Sequence, residues 1–159
     1  MKDRQTILIL DDEEFIIQSL AKILQKIGYR VVACLHPQEA VHCLKKQEVD
    51  LIISDLKMPS ETGLDFLVQA RLIRPEAAAI LLVDPEECNS AAEAVSRGIA
   101  DWFLEKPWEE KIIRITIPLV LRFRRIVSEN RVLQKLLKRY ELLNEESALD
   151  IEELARNLG

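Results

Sequence analysis

Three aspartates and one lysine stand where this sequence could do chemistry on phosphorus. Asp11 and Asp12 follow the apolar run TILIL, Asp55 follows DLIIS, and Lys106 follows DWFLE. Three crowded carboxylates repel one another unless a cation offsets their charge. Oxygen ligands of this kind suit Mg²⁺, which keeps several of its own waters. A carboxylate beside Mg²⁺ and a lysine is equipped to attack phosphorus and form an acyl phosphate.

These aspartates also have a simpler interpretation as strand-end caps and turn formers, a role common to the residue type. For any one of them alone, that interpretation is the stronger one. Their joint placement at strand ends, together with Lys106, favours a shared site instead. We therefore expect the elements of the fold to bring them together.

Strand-like and helix-like segments alternate through the first part of the chain. The apolar runs predict five strands at 6–10, 31–35, 50–54, 79–83 and 101–105. Helical spacing between them predicts helices that end at Gly28, begin at Pro37, end before Pro75, and begin at Ser90 with Glu93 completing a capping box. Five strands alternating with five helices predict a doubly wound parallel sheet of the α/β class, which binds ligands at the carboxyl ends of its strands.

The segments LILDDEE, DLIISDLKMPSETGLDFL and FLEKPW, at these separations, resemble the receiver domain of two-component response regulators. The resemblance covers about residues 4–117 and implies a (βα)5, flavodoxin-like fold. It implies that Asp55 accepts a phosphoryl group from a sensor histidine kinase or phosphotransfer protein, with Mg²⁺ as cofactor. It also implies a signalling domain with no enzymatic turnover beyond its own phosphorylation and dephosphorylation.

The resemblance assigns roles to individual positions. Asp12 and Asp55 would bind the metal directly, Asp11 through water, and Lys57 through its backbone carbonyl. Lys106 would pair with the phosphoryl oxygens. Three residues would shape the loop beneath the site: Met58, Pro59 and Gly63.

One position departs from the family pattern. Val83 stands where the family usually has Thr or Ser, so a hydroxyl donor to the phosphoryl group is missing, whereas Phe103 falls at the family's aromatic switch position. A hydrogen bond to a charged group contributes about 1.5 to 3 kcal/mol, so its loss would weaken the coupling between phosphorylation and output. Asp84 would either add negative charge near the phosphoryl group or cap the turn that begins at Pro85.

The second part of the chain differs in charge. Residues 111–140 contain nine basic side chains and one acid, Glu129, for a net charge of +8, although the whole chain carries −5. We expect most of these basic residues to form a solvated face. No recognition motif or aromatic interleaving accompanies them, so we do not expect them to bind nucleic acid directly. Binding to an acidic protein surface is the alternative.

A heptad pattern of a and d positions runs through this basic segment without a break. Its members are Leu119, Phe123, Ile126, Asn130, Leu133, Leu137, Tyr140 and Asn144. The pattern predicts a two-stranded coiled coil and hence a homodimer, with Asn130 fixing the register. Packing of this helix back onto the first part of the chain is the alternative.

We predict three regions: a receiver domain at 1–117, an extended helix at 118–146, kinked or restarted by Pro118, and an acidic tail at 147–159. The tail is expected to be a short amphipathic turn, disordered, or the start of a missing output module. No apolar run approaches the roughly 20 residues that a membrane span needs. Without a signal segment, and with Cys34, Cys43 and Cys88 interpreted as free thiols, we expect a cytoplasmic protein.

Three functions remain open at this stage. The first is a phosphoacceptor receiver that signals through a helical dimer. The second is a receiver-like scaffold that works without phosphorylation because Val83 breaks the switch. The third is a Mg²⁺-dependent phosphohydrolase resembling haloacid dehalogenases, which the Asp11–Asp12–Glu13 order and the short chain disfavour.

Overall fold

Five short parallel strands form one sheet in the computed structural model, which describes residues 3–158. The strands are β1 (Thr6–Leu10), β2 (Arg30–Cys34), β3 (Leu51–Asp55), β4 (Ala78–Val83) and β5 (Trp102–Glu105). They lie in the order β2-β1-β3-β4-β5, and each neighbouring pair is parallel. The predicted (βα)5 fold is confirmed, with every strand boundary within one residue of its predicted position.

Five helices connect and cover the strands. They are α1 (Glu14–Ile27), α2 (Pro37–Lys46), α3 (Gly63–Ile73), α4 (Cys88–Ser96) and α5 (Glu110–Asn157), with a 3₁₀ turn at Pro85–Glu87 before α4. Gly28 ends α1 as predicted, since its φ of 115° lies in the left-handed region that glycine adopts without steric cost. No described helix within residues 3–158 is long and apolar enough to cross a membrane.

The three central strands, β1, β3 and β4, are buried on both faces, which explains why they are continuous apolar runs. Alternate residues of β1 point to opposite layers, because successive side chains of a strand face opposite sides. Ile7 and Ile9 pack in the layer that contains α1 and α5. Leu8 and Leu10 pack in the layer that contains α2, α3 and α4.

The predicted start of the fourth helix is wrong. Pro85 begins a 3₁₀ turn immediately after β4, and α4 follows at Cys88 with Glu87 at its N-cap position. Proline fixes its own φ near the helical value and so begins a turn early, which moves the helix start ahead of Ser90. The Ser90–Glu93 capping box therefore does not mark this helix terminus.

The last helix also differs from the prediction. α5 is one helix in which Pro118 is an interior residue, so it does not restart there. Ile113, Ile117 and Val120 are buried on both sides of this proline, and their packing holds the helix where the missing N–H would weaken it. The predicted acidic tail is helical as far as Asn157 rather than disordered, and Gly159 lies outside the described residues.

The chain divides into two compact units, Met1–Arg124 and Arg125–Gly159. Arg124 was expected on the solvated basic face, and this expectation is wrong. The residue is buried, its guanidinium donates to the carbonyl oxygen of Pro75, and it lies 3.5 Å from an oxygen of Asp101. Asp101 also accepts bonds from Arg71 at 3.0 Å and from the backbone N–H of Ala79 at 2.8 Å, so the arginine closes a buried polar network within the first unit.

Candidate functional site

Three predicted site residues lie together at the carboxyl edge of the sheet. Asp11 and Asp12 follow β1, and Asp55 ends β3. These two strands are adjacent where the strand order reverses, the place where doubly wound sheets bind ligands. One carboxylate oxygen from each of the three residues lies within 4.8 Å of the others. The adjacency expected from the sequence is therefore present.

Backbone hydrogen bonds hold the acidic residues in place. The N–H of Asp11 donates to the carbonyl oxygen of Cys34 at 3.3 Å, and its Oδ1 accepts from the N–H of Glu13 at 2.8 Å. Directly after Asp55, the N–H of Leu56 donates to the carbonyl oxygen of Leu82 at 3.0 Å. Asp11 and the residue after Asp55 are thus tied to the neighbouring strands by backbone hydrogen bonds.

Lys106 reaches the same cluster from the end of β5. Its Nζ lies 2.9 Å from Oδ1 of Asp55 and 3.6 Å from Oδ2 of Asp11. Its side chain is only 15% exposed, and its backbone N–H donates to the carbonyl oxygen of Val83 at 2.8 Å. This lysine is therefore a fixed charge, held against the carboxylate that the sequence singled out.

Burial and charge shift the protonation equilibria of this cluster. Burial raises the pKa of Asp11 to about 6, with further increases from Asp55 and Asp12 that the bond from Glu13 and the charge of Lys106 only partly offset. Burial likewise raises the pKa of Asp55, against the opposing effect of Lys106. Burial alone would lower the pKa of Lys106, but the hydrogen bond to Asp55 and the charges of Asp55 and Asp11 outweigh it and raise the value.

The acidic cluster fits a cation. The buried Oδ2 of Asp11 has no hydrogen-bond partner among the described residues, although Asp55 and exposed Asp12 turn carboxylate oxygens toward the same point. A divalent ion with oxygen ligands would offset the repulsion among these carboxylates, and the exposed side would leave room for its waters.

The loop after Asp55 requires glycine at one position. A Cβ atom on Gly63 would lie 2.1 Å from the carbonyl oxygen of Asp55, far inside any allowed contact. The N–H of Gly63 donates to the carbonyl oxygen of Leu56 at 2.8 Å and folds the loop back onto the strand end. Thr62 then caps α3 by accepting from the N–H of Asp65 at 3.2 Å.

The three residues considered for the output switch lie at the β4 and β5 ends. Val83 is fully buried, and its side chain carries no hydrogen-bond donor. Asp84 precedes the 3₁₀ turn as predicted, but its side chain makes no capping hydrogen bond. Phe103 is half-buried in the layer with α2, α3 and α4, and its ring stacks on Trp102 with centroids 6.1 Å apart.

The residues predicted to mediate dimerisation share one property, which is exposure. All six lie exposed on α5: Phe123, Ile126, Asn130, Leu133, Leu137 and Tyr140. The five apolar side chains expose 51% to 64% of their surface.

Sequence reasoning missed one ion pair beside the site. Glu87 is 5% exposed, and its Oε1 lies 3.0 Å from Nζ of Lys57. The negative charge of Glu87 is among the influences that raise the pKa of Asp55, after burial itself. No sequence signal marked it, because the 3₁₀ turn that buries Glu87 replaces the expected helix start.

Residues 7–117 match the family model described as response regulator receiver domain. A curated relative, the phosphoglycerate transport system transcriptional regulatory protein PgtA of Salmonella typhimurium, is 30% identical over 131 residues, which cover 82% of this chain and 31% of the relative. The C4-dicarboxylate transport transcriptional regulatory protein DctD of Pseudomonas aeruginosa is 30% identical, over 88% of this chain and 30% of its own length. The chain thus spans about a third of the length of these relatives.

A solved structure shows the same architecture. The response regulator receiver domain protein from Clostridium thermocellum superposes with a TM-score of 0.71 and 27% identity, covering 77% of this chain and 98% of its own.

Proposed function

The chain belongs to the response regulator receiver family, and from that premise we propose that Asp55 is its phosphoacceptor. The observation that carries the proposal is the placement of this carboxylate, 2.9 Å from the Lys106 ammonium and within 4.8 Å of the carboxylate oxygens of Asp11 and Asp12. The donor is a phosphohistidine on a sensor histidine kinase or phosphotransfer protein. The chain then works as a signalling domain, without turnover of an external substrate.

The phosphoryl transfer is a displacement at phosphorus. An Asp55 oxygen forms the new O–P bond while the P–N bond of the phosphohistidine breaks, and its electron pair stays on the imidazole nitrogen. The imidazole leaves as a neutral ring when its other nitrogen carries a proton. The fixed ammonium of Lys106 offsets the charge on the phosphoryl oxygens, because it is already held beside Asp55.

We propose Mg²⁺ as the cation of the acidic cluster. Asp12 and Asp55 would hold it directly, Asp11 through water, and Lys57 through its backbone carbonyl. When bound, such an ion neutralises charge on the transferring group and on the carboxylates. Asp11 contributes by ionising, which its raised pKa of about 6 permits at neutral pH.

A second function is favoured by Val83. Because this buried side chain offers no donor at the end of β4, a phosphoryl group would not draw the β4–α4 loop inward through a hydroxyl. A receiver-like scaffold that works independently of phosphorylation remains the competing proposal. Both versions use the same acidic edge, and they differ in whether modification of Asp55 changes the structure.

We also propose that the exposed heptad of α5 mediates homodimerisation. Five apolar members of the stripe, from Phe123 to Tyr140, are each more than half exposed, and burying such side chains against a second copy would release water from them. Light scattering at tens of micromolar should give twice the monomer mass. Replacement of Asn130 by leucine should then alter the number of strands or the register, and a monomer under all these conditions would contradict the proposal.

Intact mass after incubation with Mg²⁺ and acetyl phosphate tests the phosphoacceptor directly. We expect a Mg²⁺-dependent gain of one phosphoryl group that is absent from Asp55→Asn. No gain at any donor concentration would favour the scaffold.

A further inference from the structure

A buried carboxylate and an exposed lysine form an ion pair across the two loops that flank Asp55. Glu87 is 5% exposed, and the Lys57 ammonium lies 3.0 Å from its Oε1. The Lys57 side chain as a whole is 71% exposed. Among the described residues, this ammonium is the ionic partner of that buried oxygen, which otherwise makes no hydrogen bond.

The position of the pair connects it to the acidic site. Lys57 is two residues beyond Asp55 in the β3–α3 loop, and Glu87 ends the 3₁₀ turn after β4. The two strand ends are joined, since Asp55 is in register with Leu82 and the next residue bonds to the Leu82 carbonyl. Glu87 is close enough to act electrostatically on Asp55. The ion pair therefore links the loop that follows Asp55 to the turn that follows β4.

We propose that Lys57 and Glu87 form a phosphoryl-sensing ion pair, in which phosphorylation of Asp55 draws the Lys57 ammonium away from Glu87. This inference rests on the proposed function of Asp55. The pair takes the place of the hydroxyl donor that Val83 lacks. The segment that responds is the 3₁₀ turn with the first residues of α4. It loses the contact that neutralises the buried Glu87 carboxylate.

The charges favour this exchange of partners. An aspartyl phosphate carries more negative charge than the carboxylate it replaces, so it repels Glu87 and attracts Lys57. Lys106, with a side chain only 15% exposed, is already fixed against Asp55, whereas Lys57 is on a flexible and mostly solvated stem. Removing the partner of a buried charge is strongly destabilising, so Glu87 cannot keep its place unchanged once Lys57 leaves.

Hydrogen exchange with Glu87→Gln and a matched control tests the pair. Exchange of the backbone amides in residues 84–96 is measured with and without excess acetyl phosphate and Mg²⁺, and intact mass is recorded in the same samples. In the natural protein, phosphorylation should raise this exchange several-fold. Glu87→Gln leaves no buried charge for Lys57 to neutralise, so its exchange should change little on phosphorylation. Glu86→Gln removes the same charge at the exposed neighbouring residue and should behave like the natural protein.

A second variant guards against a folding defect in Glu87→Gln. Lys57→Gln alters an exposed side chain and should also abolish the phosphorylation-dependent rise in exchange. If phosphorylated Glu87→Gln and Lys57→Gln both retain the full rise, the ion pair is not the sensor. If the natural protein gains a phosphoryl group without any rise, the sensor fails while the phosphoacceptor stands. If the mass never changes, the proposed function fails and the sensor with it.

Discussion

The helix α5 carries the same kind of apolar periodicity in both compact units, but only the first unit buries it. Ile113, Ile117 and Val120 are buried in the layer shared with α1, whereas Leu133 and Leu137 in the second unit are each more than half exposed. Burying such a side chain stabilises a fold by about 1.5 to 3 kcal/mol. The receiver unit therefore covers the buried apolar face of its own part of α5. Beyond Arg124, the exposed apolar side chains contribute little to the stability of the fold until another surface covers them.

This difference separates residues that fold the protein from residues that are available to bind. A helix gains most of its stability from packing an amphipathic face, so a sequence pattern alone does not tell whether that face is covered within the chain. The buried face of α5 in the first unit belongs to the first group, and the exposed heptad positions of the second unit belong to the second group. Substitutions in the two regions should accordingly affect different measurements.

The largest expected contrast is between Ile117→Ala and Leu137→Ala. Ile117→Ala should lower the free energy of unfolding by about 2 to 5 kcal/mol, because it leaves a cavity in the core. Leu137→Ala should change the stability of the receiver unit by less than about 0.5 kcal/mol, since it removes an exposed side chain. Urea unfolding followed by tryptophan fluorescence measures the receiver unit alone, because Trp102 and Trp108 both lie in it.

Sedimentation of the same two variants sharpens the comparison. Leu137→Ala should weaken self-association, and Ile117→Ala should leave it unchanged under conditions where that variant is folded. Equal loss of receiver stability in both variants would mean that Leu137 is part of the receiver core, which would contradict the division into two units.

A smaller effect on stability is expected at Gly63, which packs against the backbone of Asp55. Gly63→Ala would push a Cβ against the carbonyl oxygen of Asp55 and should cost about 1 to 3 kcal/mol by overpacking. Gly28→Ala is the matched control, because its cost of about 1 to 2 kcal/mol comes from the positive φ, with no atom within 4 Å of the new methyl group.

Only Gly63→Ala should slow the gain of a phosphoryl group from acetyl phosphate, since Gly28 ends α1 at the far edge of the sheet. Normal phosphorylation of Gly63→Ala would show that the loop can move away from the Asp55 carbonyl without disturbing the carboxylate.

Much of the fold and the centre of the site follow from short-range sequence patterns. Continuous apolar runs locate strands buried on both faces, and the rule that parallel strands end at one edge brings Asp11 and Asp55 together. The interactions that escaped prediction link distant residues. In the sequence, Arg124 resembles the other basic residues of an outward helical face. Its contact with Pro75, 49 residues away, is visible only in the folded structure. Glu87 became buried only because Pro85 began a turn ahead of the helix.

The last expected effect concerns the buried carboxylate of Asp11 in the acidic cluster. The pKa of Asp11 is raised from 3.8 to about 6 in the folded protein, chiefly by burial. Below pH 3.8 the carboxyl is protonated in both states and contributes no difference. As pH rises toward about 6, the unfolded chain loses this proton first, so the folded state becomes relatively less stable, and above that value the full cost is present.

Asp11→Asn should therefore stabilise the protein at pH 7 in a chelating buffer, by up to about 3 kcal/mol, and most of the gain should disappear near pH 4. Asparagine can still accept the Glu13 N–H at the Oδ1 position, so the local turn remains intact. Thermal unfolding of both proteins at the two pH values measures the difference. Added Mg²⁺ should stabilise the natural protein more than the variant at pH 7, because the ion offsets the charge of the buried Asp11 carboxylate. A gain from Asp11→Asn that is equal at both pH values would show that ionisation of Asp11 is not its cause.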